Sequence, residues 1–454
     1  MPTTLPRRRF LATLAGATTF AIVPRRVLGG RGARPPSDRL VIAGVGLGAR
    51  GADNLRNCET ETIGALCDVD QRLPAVVFKR HPKAKRYKDY RRLLEKEKGV
   101  EAVIVATPDH THAVITAAAM KAGKHVYTQM PLAHDIWEVR QVVELARKSR
   151  VATQMGNERF SGPTIRTTVE WIQDGCIGAV REVHCWTNRP QWPQGLARPK
   201  STPPVPAHLD WDLWLGPAPA RPYHPAYHPC NWRGWRDFGT GALGAVGCHE
   251  MDAAYWALRL AEAPTVEVEA EAVGATAESY PVASTIRYRF PARGDMPPLT
   301  LHWYDGGRRP PRPPEFPDTR EFVGSNGTIF VGEKAGLAYG ALVAGTHPGQ
   351  AGPRFIPESF AYKRPKPRIP RVNLGGRYDG QGRHEQEWIR ACKGGRPACA
   401  RFEITGPLTE IVLLGNVAIA ARKPIVWNRR SAKVTNEPRA NDFIRRAYRR
   451  GWSL

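Results

Sequence analysis

The sequence predicts an α/β protein in two parts: an N-terminal parallel sheet with helices on both faces, and a C-terminal α+β domain on a large, mostly antiparallel open sheet. Three observations predict it. Short β-branched runs alternate with helical segments from about Arg39 to Asn157, the pattern of a parallel sheet. A glycine-dense turn follows the first of those runs. After Asn157 comes a stretch rich in Pro, Trp and His, from Pro190 to Tyr227, and then a series of strand-like runs. The expected division is a leader over 1–36, a first domain over 37–157 and a second over 158–454.

The leader carries Arg7-Arg8-Arg9-Phe10-Leu11, a weakly apolar stretch from Leu11 to Val23, then Pro24-Arg25-Arg26, and no acidic residue. This reads as a twin-arginine export signal, which places the protein in the periplasm or cell envelope. Its apolar stretch is shorter than the roughly 20 residues that a membrane-spanning helix needs. No other segment approaches that length on this reading, so no integral membrane segment is expected. No clean Ala-x-Ala cleavage site is present.

In the first domain, Leu40–Val45, Thr62–Cys67, Ala102–Ala106, His125–Tyr127 and Val151–Met155 read as strands. Ile115–Ala122, closed by Gly123, and Ile136–Lys148 read as helices. The first strand feeds Gly44-Val45-Gly46-Leu47-Gly48-Ala49-Arg50-Gly51, and Asp68 arrives at the end of the second apolar run. This is the fingerprint of a Rossmann dinucleotide-binding unit. Two registers fit it, Gly44-x-Gly46-x-x-Ala49 and Gly46-x-Gly48-x-x-Gly51. In either, glycine permits a turn at positive φ and lets backbone N–H groups approach a pyrophosphate at a helix N-terminus. Asp68 would accept hydrogen bonds from an adenosine ribose, which favours NAD over NADP.

In the second domain, Thr265–Ala272, Ser284–Phe290, Leu299–Tyr304 and Thr328–Val331 read as strands, and Arg308–Pro317 and Pro365–Pro370 as proline-rich loops. The formal charge is +25, and seven of the 67 Lys and Arg precede Pro35. The remaining excess is spread along the chain with no nucleic-acid-reading motif, so no nucleic-acid partner is expected. The eight cysteines show neither a C-x-x-C pair nor zinc spacing and read as small buried hydrophobes. His110 with His112, and His224 with His228, have the spacing of metal pairs but lack a third ligand at a diagnostic distance. No metal is expected. Trp211, Trp214, Trp232 and Trp235 flank the approach to His249 and suit either core packing or stacking on a sugar ring.

Several motifs in order resemble the glucose-fructose oxidoreductase / inositol dehydrogenase / MocA family. They are Ala106-Thr107-Pro108-Asp109-His110-x-His112, Tyr127-Thr128-Gln129-Met130-Pro131-Leu132, Gln154-Met155-Gly156-Asn157, and Gly239-Thr240-Gly241-Ala242-Leu243 leading into Gly247-Cys248-His249-Glu250-Met251-Asp252. The resemblance implies an NAD-dependent oxidoreductase that moves hydride to or from a sugar, polyol or related carbohydrate. It implies a cofactor site of Gly44, Gly46, Gly48, Gly51, Asp68, Thr107, Pro108, His110, Gln129, Met130 and Asn157, and a homo-oligomer paired through its open sheets. The family's catalytic lysine and aspartate fall on Met130 and Ala245, which leaves His249 as the proton shuttle. A lysine there would stabilise developing oxyanion charge, which a thioether cannot do. Three outcomes fit the substitutions. Neighbours such as His110, His112, Asn157, Arg159 or Asp305 supply the missing groups; or NAD stays bound while a glycoside is cleaved without net redox change; or the chain binds nucleotide or sugar without turnover.

Overall fold

The computed structural model describes residues 38–314, 325–340, 352–363, 365–373 and 382–454. The segment 1–36 read as a twin-arginine leader and the end of the first proline-rich loop lie outside them. Val41–Leu454 form one unit.

The first sheet is β1 (Val41–Val45), β2 (Thr62–Cys67), β3 (Lys85–Tyr87), β4 (Ala102–Val105), β5 (His125–Gln129) and β6 (Thr153–Gly156). Its order is β3-β2-β1-β4-β5-β6, with every pairing parallel. Such a sheet is covered on both faces. Hence β4, Ala-Val-Ile-Val, is buried at every position and reads as an unbroken apolar run. Strand order reverses between β1 and β4, and their carboxyl ends open the crevice where doubly wound sheets take ligands.

The edge strand β3 was not expected: its Lys-Arg-Tyr is short and largely exposed. The helix expected over Ile115–Ala122 begins at Asp109. Eleven of its thirteen residues are buried, so it presents no polar face from which to read its start. The helix Ile136–Lys148 has the expected bounds because its ends are marked chemically. Asp135 accepts from Glu138 N at 2.8 Å, and Arg147 and Lys148 close the last turn.

The second sheet comprises β7 (Val180–Thr187), β8 (Thr265–Val273), β9 (Ala283–Phe290), β10 (Leu299–Tyr304), β11 (Asn326–Gly332), β12 (Gly336–Gly340), β13 (Arg354–Ile356), β14 (Ile425–Asn428) and β15 (Lys433–Val434). Its order is β13-β12-β11-β7-β10-β9-β8-β14-β15. β7 and β10 are parallel and the other pairs antiparallel. Burial alternates along β9, the sign of one packed face and one open face. Val268, Ile286, Tyr288, Leu301 and Trp303 form the packed face.

One expectation is corrected here. Phe402–Ala421 is a 20-residue helix with mean hydropathy 1.5, long and apolar enough to have been weighed as a membrane span. It is a core helix: 72% of its most apolar window is buried, packed against the helices Ile136–Lys148 and Gly241–Glu250 and against β8. Its buried Glu410 accepts from Arg140 Nε at 2.7 Å and Trp427 Nε1 at 3.0 Å. A Cβ at Gly406 would fall 2.2 Å from Val143, so glycine there sets the close helix–helix approach. A helix that is apolar all round marks a core as readily as a membrane.

Candidate functional site

A cavity of about 530 Å³ lies at the carboxyl ends of β1 to β5, walled on the other side by the helix Gly241–Glu250, the segment from His228 to Arg233, and Trp452. The backbone settles the glycine register. Gly46 adopts φ +81°, and a Cβ there would lie 2.6 Å from the Ala106 carbonyl carbon. Gly48 is the N-cap of the helix Ala49–Asn57, with open space where a Cβ would be and no side chain capping it. A Cβ at Gly51 would be 2.0 Å from Gly46 O. Tight turn, open approach and close helix packing therefore fall in turn on Gly46, Gly48 and Gly51. Gly44 lies within β1 against Leu55 and does not line the cavity. No acidic residue occupies the first turn of the helix, so no carboxylate within that turn competes for its leading N–H groups.

Asp68 lies at the end of β2. Its Oδ2 accepts from Leu47 N at 2.7 Å and its Oδ1 from Asp70 N at 2.9 Å, which ties the acid to the glycine turn. Burial pushes its carboxyl up to about 6 against the pull of these N–H groups. Asp70 is fully buried and receives His228 Nε2 at 2.9 Å and His208 Nδ1 at 3.0 Å. His228 is thus a strut that fastens the Pro, Trp and His rich stretch to the end of β2. It does not pair with His224, which meets Ser201 Oγ at 3.1 Å. Trp214 and Trp232 line the cavity; Trp211 and Trp235 pack beside them in a cluster with Tyr227 and Phe238. Trp452 faces Tyr90, ring centroids 6.4 Å apart.

At the other end, Thr107 and Pro108 line the cavity from the turn after β4, and Gln129 and Met130 from the end of β5. His112 bridges the two turns, Nε2 at 2.8 Å from Thr107 O and Nδ1 at 2.8 Å from Pro131 O. Gln129 donates to Asn54 Oδ1 at 2.8 Å. Across from them stand Ala245 and His249, four apart on one helix and so on one face. Neither ring nitrogen of His249 has a hydrogen-bond partner among the described residues, and Nδ1 is buried. Burial lowers this imidazole to about 4, opposed by the Glu158 carboxylate and assisted by the Arg159 and Arg50 charges. It is neutral at neutral pH, with a lone pair free.

Several expected residues stand elsewhere. His110 is fully buried behind the cavity wall, Nε2 at 2.9 Å from Trp214 O and Nδ1 at 3.2 Å from Phe238 O. Burial and the Arg446 charge lower it to about 3, so it is neutral, donates to only one of these two carbonyls, and joins the two halves of the chain as a strut. Asn157 is buried and donates to Cys248 O at 3.1 Å. Arg159 is held by Glu250 at 2.9 Å. Asp305 accepts from Ser284 N and Oγ and from Trp303 Nε1. None of these four lines the cavity, so none replaces the groups absent at Met130 and Ala245. The cavity does contain cations that the sequence reading did not single out. Arg50, paired with Glu158 at 3.3 Å, was legible as the second residue after Gly48. Lys88 and Arg233 had no such signal.

Comparison with known proteins agrees with the fold. The family model described as "Oxidoreductase family, NAD-binding Rossmann fold" matches residues 39–157. Its partner, "Oxidoreductase family, C-terminal alpha/beta domain", matches residues 180–294, and the two together span more than half of the chain. The inositol 2-dehydrogenase of Salmonella typhimurium is 36% identical over 146 residues, 31% of this chain and 43% of that protein. A glycosyl hydrolase family 109 protein from a Shewanella species is 28% identical over 181 residues, 37% of this chain and 39% of that protein. The matches thus span about two fifths of the curated relatives' own length. The WlbA dehydrogenase of Bordetella pertussis, solved with NADH and UDP-GlcNAcA, shares the fold with a TM-score of 0.59 at 14% identity, over 85% of this chain and 98% of that one.

Proposed function

Since the chain belongs to the Gfo/Idh/MocA oxidoreductase family, we propose that it is an NAD-dependent oxidoreductase acting on a hydroxyl of a sugar, polyol or related carbohydrate, with His249 carrying the proton. The observation that supports this most is the unpartnered, neutral imidazole of His249 facing a cavity whose opposite wall is the Gly46–Gly51 turn and Asp68. The residues fit the cofactor. The helix N-terminus after Gly48 receives the pyrophosphate, Asp68 the ribose hydroxyls, and the turns at Thr107 and Met130 the nicotinamide end. NAD⁺ when bound supplies the hydride acceptor.

The protein's own part is to seat the substrate carbon against that end and to take the hydroxyl proton on His249. With a methionine and an alanine where a cation and a carboxylate would assist, turnover is expected to be about 10²- to 10³-fold below that of a site with a preorganised charge. Screening sugars and polyols with NAD⁺ for reduced-nicotinamide fluorescence tests the reading. Failure of every substrate in a protein that binds NAD⁺ would overturn it.

Two further results are expected. His249 must be neutral to accept a proton, so with NAD⁺ kept saturating, which removes the protonation of Asp68 near 6 from the profile, kcat/KM for the oxidised substrate should stay level from about pH 8 down to about pH 5 and fall as pH drops through about 4. An acid limb near the ordinary histidine value of about 6.5 that persists in His249→Gln at saturating NAD⁺ would place the essential base elsewhere. Asp68→Asn removes the charge that repels a 2′-phosphate. It should lower NAD⁺ affinity about tenfold and shift the NADP⁺/NAD⁺ preference toward NADP⁺ by about 10- to 100-fold, measured by titrating both dinucleotides.

A second reading, glycoside cleavage with retained NAD and no net redox change, is favoured by the walling of the adenosine end by His228–Arg233 and Trp452 and by likeness to the family 109 protein. Cofactor that survives gel filtration, with cleavage needing no added NAD⁺, would mark it. The Arg7-Arg8-Arg9 leader supports export by the twin-arginine pathway to the periplasm or cell envelope, and the open face of the second sheet supports a homo-oligomer.

A further inference from the structure

On the face of the second sheet turned away from its packed core, Glu182 and His184 of β7 lie beside His302 of β10. The strands are parallel neighbours with Thr300 opposite Glu182 and His302 opposite His184. The two-residue period puts 182, 184, 302 and 304 on one face, while Val183, Cys185, Leu301 and Trp303 point into the core. Glu182 Oε1 stands 2.9 Å from His302 Nε2 and 3.4 Å from His184 Nε2, and the three ligand atoms all lie within 4.8 Å of one another. A tetrahedral ion with bonds of about 2.0–2.1 Å holds its ligand atoms about 3.3 Å apart, a spacing that these two edges bracket.

The surroundings suit a metal. His184 and His302 stack with ring centroids 4.9 Å apart and planes 18° from parallel, so both Nε2 atoms reach the same carboxylate. His184 Nδ1 meets Tyr304 Oη at 3.1 Å, an outer contact that leaves the Nε2 lone pair free when the phenol oxygen accepts from Nδ1–H. Arg287 and Arg289 on β9 are taken up by Glu267 and Glu269. The ion-pair partners of Glu182 among the described residues are therefore these two imidazoles. The His184 and His302 side chains are 8% and 14% exposed and Glu182 44%, so a fourth position would open outward from this chain, onto the face through which the proposed oligomer would pair. None of the three lines the dinucleotide cavity.

We propose that Glu182, His184 and His302 form a binding site for a divalent transition metal of the Zn²⁺ class, with three protein ligands and one outward coordination position. Two nitrogens and one carboxylate oxygen match that class rather than Mg²⁺ or Ca²⁺, which take all-oxygen shells. By joining neighbouring strands, bound metal should also stabilise the second sheet.

The test uses the full chain, stripped with chelator, incubated with Zn²⁺ and passed through gel filtration. About one zinc per chain should remain in the wild type by elemental analysis, and the thermal midpoint should rise with Zn²⁺ concentration. His302→Gln and Glu182→Gln should each abolish both effects. Co²⁺ in place of Zn²⁺ should give visible d–d absorption of tetrahedral N/O type in the wild type, a readout that needs no variant to fold. Absence of retained metal, or equal retention by the variants, would overturn the proposal and leave the cluster as a hydrogen-bonded ladder.

Discussion

Gly46→Ala should eliminate measurable NAD⁺ binding and lower the stability of the fold by about 2–4 kcal/mol. The residue sits at φ +81°, where an L side chain is strained. Its new methyl would also land 2.6 Å from the Ala106 carbonyl carbon and 2.7 Å from Thr107 N. Both neighbours are backbone of the turn after β4, which cannot withdraw as a flexible side chain would. The turn must shift, and with it the helix N-terminus proposed to receive the pyrophosphate. Denaturant unfolding and dinucleotide titration measure the two effects separately. Gly48→Ala is the control: its Cβ would meet nothing within 4 Å, so stability should hold while affinity falls. A Gly46→Ala protein with wild-type affinity would remove the turn from the account.

His249→Gln should reduce kcat about 10²- to 10⁴-fold, the usual contribution of a positioned proton-transfer group, with NAD⁺ affinity nearly unchanged. Glutamine keeps much of the volume and polarity, and the histidine makes no side-chain hydrogen bond among the described residues whose loss would unsettle the helix. A variant with undiminished kcat would show that the proton leaves by another route. Parallel loss of NAD⁺ affinity would instead mark His249 as a binding group.

The parts legible in the sequence were those set locally. The glycine turn, Asp68 at the end of β2, the capped helix Ile136–Lys148 and the period-two strands β9 and β10 each follow from residues a few positions apart. The two glycine registers differed only in which carbonyl each glycine faces, and Gly51 meeting Gly46 O at 2.0 Å is a tertiary fact. His110 and His112 look alike on paper, yet His110 turns toward Trp214 and Phe238 while His112 turns to the cavity side, a choice made by a distant segment packing on their helix. Arg233, His228 and Trp452 reach the cavity only because the second half of the chain folds over the carboxyl ends of the first sheet. The helix Phe402–Ala421 lacked periodicity because helices and strands surround it. Glu182, His184 and His302 come together through parallel pairing of strands far apart in sequence, so no spacing rule could have found them.

Met130 and Ala245 bound what this site can do. Both line the cavity with His249, as do the cations Arg50, Lys88 and Arg233. Of these, Arg50 has its guanidinium already paired with Glu158. A slow oxidoreductase, one whose cofactor never leaves, and a chain that binds nucleotide or sugar without turnover all fit this geometry.

Calorimetric titration of NAD⁺ into cofactor-stripped protein tests the central claim most directly. One NAD⁺ should bind per chain, and binding should vanish in Gly46→Ala. No heat of binding, together with no dinucleotide released when the protein as purified is denatured, would contradict the claim that this cleft holds NAD.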